Sequence, residues 1–571
     1  MFSCLVSMFV ATVIGQAPDQ AAWLRSVPAE VAVIARVKAL ETARDDLMKM
    51  LEAMSGNAAA LARPHIEQGL AMMEAQTGKP SLQHPFFLLM NLPKDGPIPG
   101  WAVIVEAEDY PGVIKAITKK DDLKLDGKGG VDSFDGPHGQ TMFSTKGKGF
   151  VAFGADEALV KSIAKPAASL DEKLATDVKQ ALLGGDLGVY VNVAAVQAQY
   201  SEQIEQGKQL LMGVLDQQGA AQMDEKTLAT VKSLYGGIFD SIKAGDALAF
   251  NLNFAAEGLT LGGLVTVKGD STAAKGLASA KTGTADGLVR LPASAMAFTY
   301  TNASPEGLKA MLKLVSPDGK PDPDAEKAMT LQIEAGALEG YSAIGDGAGG
   351  FSGMAALGFS TPKDPAKAVE ATLFATKNAK SSGQAAFKSV DVTSKAETYK
   401  GFTLNRLTIT LDLEKMTPAN APGGSESMKK LMGGDTITSW IGTDGKTLIN
   451  VGGKTFDDAK ARIDAFLSGE ASIGKTPAFK AIRDKLPKQV STLVLVNAQG
   501  LVRMSAQTAA AMMGRDLVVP SDMPKEPALF GGAITNSPKG FQFQFIVPSN
   551  VGPVIEKGVV PMLEGIDGGV Q

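Results

Sequence analysis

Short apolar runs alternate with amphipathic helical stretches along this chain, and the alternation restarts. Val27–Leu51 opens on an apolar run, Val31–Val37, with the length and composition of a buried strand, then takes on a helical period from about Leu40 to Met54. Leu187–Leu211, Leu291–Val315 and Leu486–Met513 repeat that plan of buried strand, polar cap and amphipathic helix. In Leu291–Val315 the parts are Ala295–Tyr300, the capping residues Asn302 and Ser304, and Glu306–Leu314.

The rest of the first half fills in between these units. A second helix is predicted after Pro64, over His65–Ala75. Pro85–Asn91 and Trp101–Ala107 are apolar runs expected to pair, and the helix Tyr110–Thr118 follows them. Gln140–Ser144 and Gly149–Phe153 read as a hairpin, then comes a helix capped near Asp156. A helix at Asp171–Leu183 leads into strand Gly188–Val193. Val196–Lys243 reads as a helical hairpin broken near Gln217–Gln222. Strands Ala247–Phe254 and Gly258–Val267 and the helix Thr272–Ala280 complete the half.

From Pro292 the order of elements begins again. Pro28 and Pro292 are 264 positions apart, Pro111 and Pro365 254, Gly154 and Gly452 298, Asn192 and Asn497 305, Val267 and Val547 280. The growth between Pro365 and Gly452 places an insertion there, with Thr417–Gly434, rich in Pro, Gly and Ser, as a long loop. A repeat of this length is too long for a solenoid. The expectation is an α+β fold of two tandem homologous domains, each a mainly antiparallel sheet with helices packed on one face. Their bounds are 27–280 and 292–560, with 281–291 as linker and 561–571 as tail. With Pro28-Ala29 and Pro292-Ala293 each opening a repeat, the organisation resembles large exported bacterial proteins of unknown function. The resemblance implies export and duplication and assigns no site residue.

Composition narrows the functions. Hydrophobic residues make up 44% and charged residues 20%, so the chain can bury large cores. The net charge of −5 is mixed along the chain, without the basic stripe a nucleic-acid binder needs. Phe2–Ile14 is an apolar run followed by the small residues Gly15 and Ala17, which predicts a secretory signal peptide over 1–17, either cleaved or retained as an anchor. No later run is long enough for an integral membrane span in the mature chain. Cys4, the one cysteine, lies inside that presequence, so disulfides and thiol chemistry are excluded from a mature chain.

Four motifs invite chemistry. Gly469–Thr476, GEASIGKT, fits a phosphate loop by letter, but a helix precedes it and Pro477 follows, so it reads as a linker between helices. Gly345–Gly350, GDGAGG, lies between two strands where a dinucleotide site needs a helix to begin, so it reads as a hairpin loop. Asp318, Asp322 and Asp324 lack an EF-hand's spacing, and Asp324 suits a helix cap. Of the three histidines, His65 and His84 are separated by a helix, while Asp132, Asp135 and His138 share one hairpin and are the only metal candidates, with a solvated turn the favoured reading. No catalytic or cofactor-binding residue is assigned, and no cofactor is called for.

The leading expectation is therefore a non-catalytic extracytoplasmic binding or interaction protein of the periplasm or cell envelope, its partner an unknown protein or apolar ligand. One alternative is a carrier of an apolar ligand such as a lipid, to which the 23 methionines would suit an adaptable lining. The other is a carboxylate-dependent hydrolase of an envelope polymer.

Overall fold

The computed structural model describes residues 20–77, 84–93, 99–120, 123, 125, 130–136, 139–219, 225–269, 271–314, 316, 320–345, 355–378, 387–417, 424–513 and 523–558. They divide into two compact units. The first holds the chain up to Glu205 together with Gly245–Lys268, and the second holds Gln206–Ala244 and everything from Gly269.

The first unit is built on strands β1 (Val33–Val37), β2 (Phe86–Met90), β3 (Trp101–Glu106), β4 (Asp132–Asp135), β5 (Thr141–Gly147), β6 (Phe150–Gly154), β7 (Leu187–Val191), β8 (Gly245–Ala255) and β9 (Gly258–Val267). They pair in the order β4-β5-β6-β3-β2-β1-β7-β8-β9, antiparallel throughout. Each predicted β-hairpin of this half is present. Successive side chains of a strand point to opposite faces, and here both faces are buried. Phe87, Leu89, Ala102, Ile104, Phe150 and Ala152 pack with Trp23, Leu24 and the helix Glu157–Ala164. Their neighbours Phe86, Val103, Val105, Val151 and Phe153 pack with Val113, Ile114 and Ile117 of the helix Tyr110–Thr118. The expectation of helices on one face only is therefore corrected. Unbroken apolar runs such as FFLLM and WAVIV mark strands covered on both sides, whereas a strand open to water on one face alternates.

The second unit contains β10 (Ala297–Asn302), β11 (Glu339–Ile344), β12 (Ala355–Ser360), β13 (Phe387–Tyr399), β14 (Phe402–Leu411), β15 (Thr436–Thr443), β16 (Leu448–Gly452), β17 (Thr492–Asn497), β18 (Leu529–Ser537) and β19 (Gly540–Pro548). Their antiparallel order is β13-β14-β15-β16-β12-β11-β10-β17-β18-β19. Without β13 it matches the first unit's order place for place, and β13 falls within the interval where the sequence offsets demand an insertion. One face carries Phe298, Tyr300, Leu357, Phe359, Ile449 and Val451, packed with Ile463, Phe466 and Phe479. The other carries Leu407, Ile409, Leu411 and Ile441, packed with Ala368 and Val369 of the helix Pro365–Asn378.

Each Pro-Ala start is held by the same hydrogen bonds. Leu170 N donates to the Val27 carbonyl and Ile473 N to the Leu291 carbonyl, both at 2.7 Å. Ala29 N donates to Ala168 and Ala293 N to Ala471. Asn192 and Asn497, after β7 and β17, each accept a backbone N–H of the helix that follows, from Ala195 and Gln499.

Four local readings change. The helix Gly56–Thr77 runs through Pro64 and starts after Ser55, whose hydroxyl accepts from Ala58 N. The cap of Pro323–Glu334 is Asp322, not Asp324, because Pro323 occupies the first helical position. The expected loop 417–434 contains the helix Gly424–Met432. The expected linker 281–291 is built into the second unit, with Leu288 and Leu291 fully buried in its core.

Phe153 is fully buried on β6. Phe153→Ala should cost about 3–5 kcal/mol, read as a lowered urea midpoint for the first unit.

Candidate functional site

Tyr300, Phe359 and Ile449 are core residues of the second unit, so the alternate positions on their strands must face the other way. On that other face the register lines up Thr299 with Ser342, Ser342 with Gly358, and Gly358 with Asn450, one row crossing β10, β11, β12 and β16. A second row pairs Thr301 with Gly340 and Ser360 with Leu448. These small, mostly polar residues floor a cavity of about 460 Å³, within the size range of small-molecule sites. Its roof includes Leu308 of the helix Pro305–Leu314, Gln332 of Pro323–Glu334, and Ala371, Thr372, Ala375 and Thr376 of Pro365–Asn378.

The same rows in the first unit are core. Registers there align Ala35 with Leu88, Leu88 with Val103, and Val103 with Phe153. The second row is Val37, Phe86, Val105 and Val151. Val103 is 1% exposed and Phe153 0%. Where the first unit has Val103 and Phe153, the second has Gly358 and Asn450. Where the helix Tyr110–Thr118 presents Val113, Ile114 and Ile117, the helix Pro365–Asn378 presents Ala and Thr.

Backbone packing does not demand the floor glycines. A Cβ at Gly358 would stand 3.7 Å from its nearest neighbour, the Tyr341 carbonyl, and one at Gly340 would stand 3.9 Å from Thr301 Oγ1. Both are ordinary contacts, unlike Gly442 on β15, where a Cβ would come within 2.0 Å of the Thr403 carbonyl. Asn450 Oδ1 is buried with no hydrogen-bond partner, which costs about 1–3 kcal/mol for a buried polar group.

The hydroxyls of Thr299 and Ser342 lie 2.6 Å apart. Thr372 and Thr376 donate to the carbonyls of Ala368 and Thr372, both at 2.9 Å, and Gln332 Nε2 donates to the Ala337 carbonyl at 3.1 Å. Glu339, at the rim, is committed to the opposite face, where its Oε1 accepts from Tyr300 at 3.0 Å and from Tyr341 at 2.9 Å. Burial first, and then this carboxylate, push the Tyr300 phenol up to about 12 and raise that of Tyr341 as well.

The sequence candidates lie elsewhere. Asp132 and Asp135 stand three positions apart on β4, so the pleat sends them to opposite faces. Asp132 accepts from Tyr110 at 2.6 Å, Asp135 pairs with Lys120 at 3.4 Å, and His138 lies outside the described residues. Among the described residues no group of three or more His, Cys, Asp or Glu could hold a metal. His84 Nδ1 lies 3.2 Å from Glu106 Oε2, and His65 is exposed on its helix. In GEASIGKT, Gly469 ends the helix Phe456–Ser468 in the left-handed region, Ile473 is buried, and Thr476 caps the helix Pro477–Arg483. No strand leads into it, and the Thr476 hydroxyl is used as a cap. The GDGAGG motif beyond Gly345, and Asp318, lie outside the described residues; β11 and β12 flank the former as an antiparallel pair.

Sequence reasoning missed the floor residues. Their signal was Thr and Ser alternating with aromatics in FTYTN, YSA and GFS, where the first half has unbroken apolar runs.

No family model matches the chain, and no curated protein or solved structure is similar to it. Among the described residues no helix is long and apolar enough to cross a membrane.

Two outcomes follow from this geometry. Gly358→Ala and Gly340→Ala should each leave stability unchanged or raise it by about 0.4–1 kcal/mol, since the unfolded chain loses freedom and the folded one meets no clash, as checked by urea unfolding. The raised phenols hold stability that is fully present below the unfolded tyrosine value of 10.0 and is lost as pH climbs towards about 12. The unfolding midpoint of the second unit should fall over that window, and less steeply in the Tyr300→Phe/Tyr341→Phe double variant.

Proposed function

We propose that this is a non-catalytic binding protein of the bacterial cell envelope, built by duplication of one α+β domain, in which the second unit binds a ligand in the cavity floored by Thr299, Ser342, Gly358 and Asn450. One observation carries the reading. At matching positions of the same strand order, the first unit fills this space with Leu88, Val103 and Phe153, while the second leaves it open and polar. Emptying a core face forgoes about 1.5–3 kcal/mol for each large apolar side chain lost, so the opening needs a reason other than stability. The matching strand order and the paired Pro-Ala hydrogen bonds support the duplication.

The polar floor favours this reading over a carrier of purely apolar cargo. It also favours it over the hydrolase, because among the described residues the one carboxylate at the rim, that of Glu339, is engaged by two phenols on the far face. Export rests on the apolar run Phe2–Ile14. Trp23 and Leu24, at 2% and 0% exposure, belong to the first unit's core, so a cut that preserves the fold leaves both on the mature chain. N-terminal sequencing of the exported protein should therefore start between Gln16 and Trp23; recovery of intact Met1 in the cytoplasmic fraction would overturn export.

The binding reading is tested by native mass spectrometry of the full chain purified from its envelope fraction. A small-molecule adduct is expected on the wild type and should be lost from Gly358→Phe, whose ring fills the cavity. An adduct that persists in Gly358→Phe places the ligand elsewhere and overturns the reading.

A further inference from the structure

We infer that the ligand of this cavity is an uncharged, polyhydroxylated molecule of mono- or disaccharide size. The inference rests on the reading of the cavity as a binding site and adds the chemistry of what enters it.

Charge is the first constraint. Among the lining residues Glu339 carries the only charge, and its carboxylate is bound by Tyr300 and Tyr341 on the opposite face of the sheet. Among the described residues no Lys, Arg or His lines the space. A phosphate, carboxylate or ammonium group would shed its water here and find no opposite charge, a transfer that is strongly unfavourable.

Polarity is the second constraint. A hydrocarbon tail on the floor would cover the hydroxyls of Thr299, Ser342 and Ser360 and the Asn450 carboxamide without replacing their water. Asn450 Oδ1 has already lost its water and found no protein donor. An occupant that suits this floor brings hydrogen bonds with it.

The balance of donors and acceptors then narrows the class. Thr372 and Thr376 spend their protons on helix carbonyls, and Gln332 spends an amide proton on Ala337, so each offers the cavity an oxygen that can accept. In the Thr299–Ser342 pair one hydroxyl donates to the other, which leaves the second proton for a guest. The second Gln332 N–H and the Thr301 and Ser360 hydroxyls add donors, so the lining both accepts and donates, and a ligand that does both suits it. An alcohol does both; an ester, ether or ketone cannot donate at all.

Shape agrees. The floor's polar groups are spaced by the strand repeat, about 4.8 Å across the sheet, a scale on which hydroxyls project from opposite sides of a sugar ring. Leu308, Ala371 and Ala375 above, with Leu448 at the floor's edge, form an apolar side, which suits the C–H face of the same ring. The volume of about 460 Å³ admits one or two such rings with water.

The test is calorimetric titration and thermal shift on the full chain with a defined set of probes: glucose, galactose, N-acetylglucosamine, maltose and cellobiose, with decanoate, glycine and inorganic phosphate as the contrasting chemistries. At least one sugar should bind the wild type and raise its Tm. Affinity should fall at least tenfold in Asn450→Ala, which removes a carboxamide from the floor, and binding should vanish in Gly358→Val, which fills the floor. The contacts at Gly358 tolerate a Cβ, and an unshifted unfolding midpoint for the unliganded variant shows that the fold is intact. Saturable binding of decanoate, glycine or phosphate that Gly358→Val abolishes overturns the sugar assignment and leaves the binding reading standing. Sugar binding unaffected by Gly358→Val or Asn450→Ala overturns the assignment of sugar to this cavity. If no sugar of the set binds, the assignment to this class is overturned, while the binding reading is judged separately by whether the native adduct responds to Gly358→Phe.

Discussion

The alternation of the pleat is the constraint on which the second unit depends. Once Phe298, Tyr300, Phe359, Ile449 and Val451 are committed to one core, Thr299, Ser342, Gly358 and Asn450 have no freedom over which way they face. A slip of one residue would place hydroxyls in that core and aromatic rings in the cavity, so the register is specified by the whole apolar set. The Glu339 contacts with Tyr300 and Tyr341 tie β10 and β11 together on the core side. The rigidity of the polar floor is therefore supplied from the face a ligand never touches, much as a binding constellation is held by the residues behind it.

Opening that floor has a structural cost, and the second unit contains a feature that offsets it. β13, which has no counterpart in the first unit, extends the sheet beside β14. On the same side as the cavity, Leu407, Ile409, Leu411 and Ile441 form a core that grips Ala368 and Val369. Those two residues begin the helix whose next turns carry Ala371, Thr372 and Ala375 over the open space. The roof helix is thus anchored at one end by new apolar burial and is free of the need to pack tightly at the other. In the first unit the shorter helix Tyr110–Thr118 buries Val113, Ile114 and Ile117 directly onto the strands, in one core with Phe134 of β4 and Met142 of β5.

Much of this fold was legible in the sequence because strands and helices have different periods. WAVIVEA pairing with FFLLM and the β5–β6 and β8–β9 hairpins follow from apolar periodicity and turn residues, whereas the expected helical break near Gln217–Gln222 is met by a π-helix over Leu215–Gly219. What periodicity alone cannot reveal is which helix covers which face. The one-face expectation failed because the continuous apolar runs that identify the strands also say that both their sides are covered, and only the first of those two messages was used. Pro64 and the segment 281–291 failed for another reason: a breaker residue or a polar composition describes local preference, and burial of Leu288 and Leu291 overrode it. The cavity was illegible for a third. Its residues are scattered over β10, β11, β12 and β16, and no motif joins Thr299 to Asn450 until the hydrogen-bond register does.

The Asn450 oxygen bears on the stability of the second unit. A buried acceptor without a donor raises the free energy of the empty folded state relative to one in which the acceptor is satisfied. A ligand that binds the folded state alone adds its binding free energy to it, so under the proposed function occupancy and stability of the second unit would rise together. Asn450 sits between Ile449 and Val451, both fully buried, and opposite Ile441 in the neighbouring strand. That packing fixes the strand, and with it the face of the sheet on which Asn450 stands. The open floor and its unpaired oxygen are held in place by the same packing that makes the strand, and what remains variable is only whether the cavity is filled.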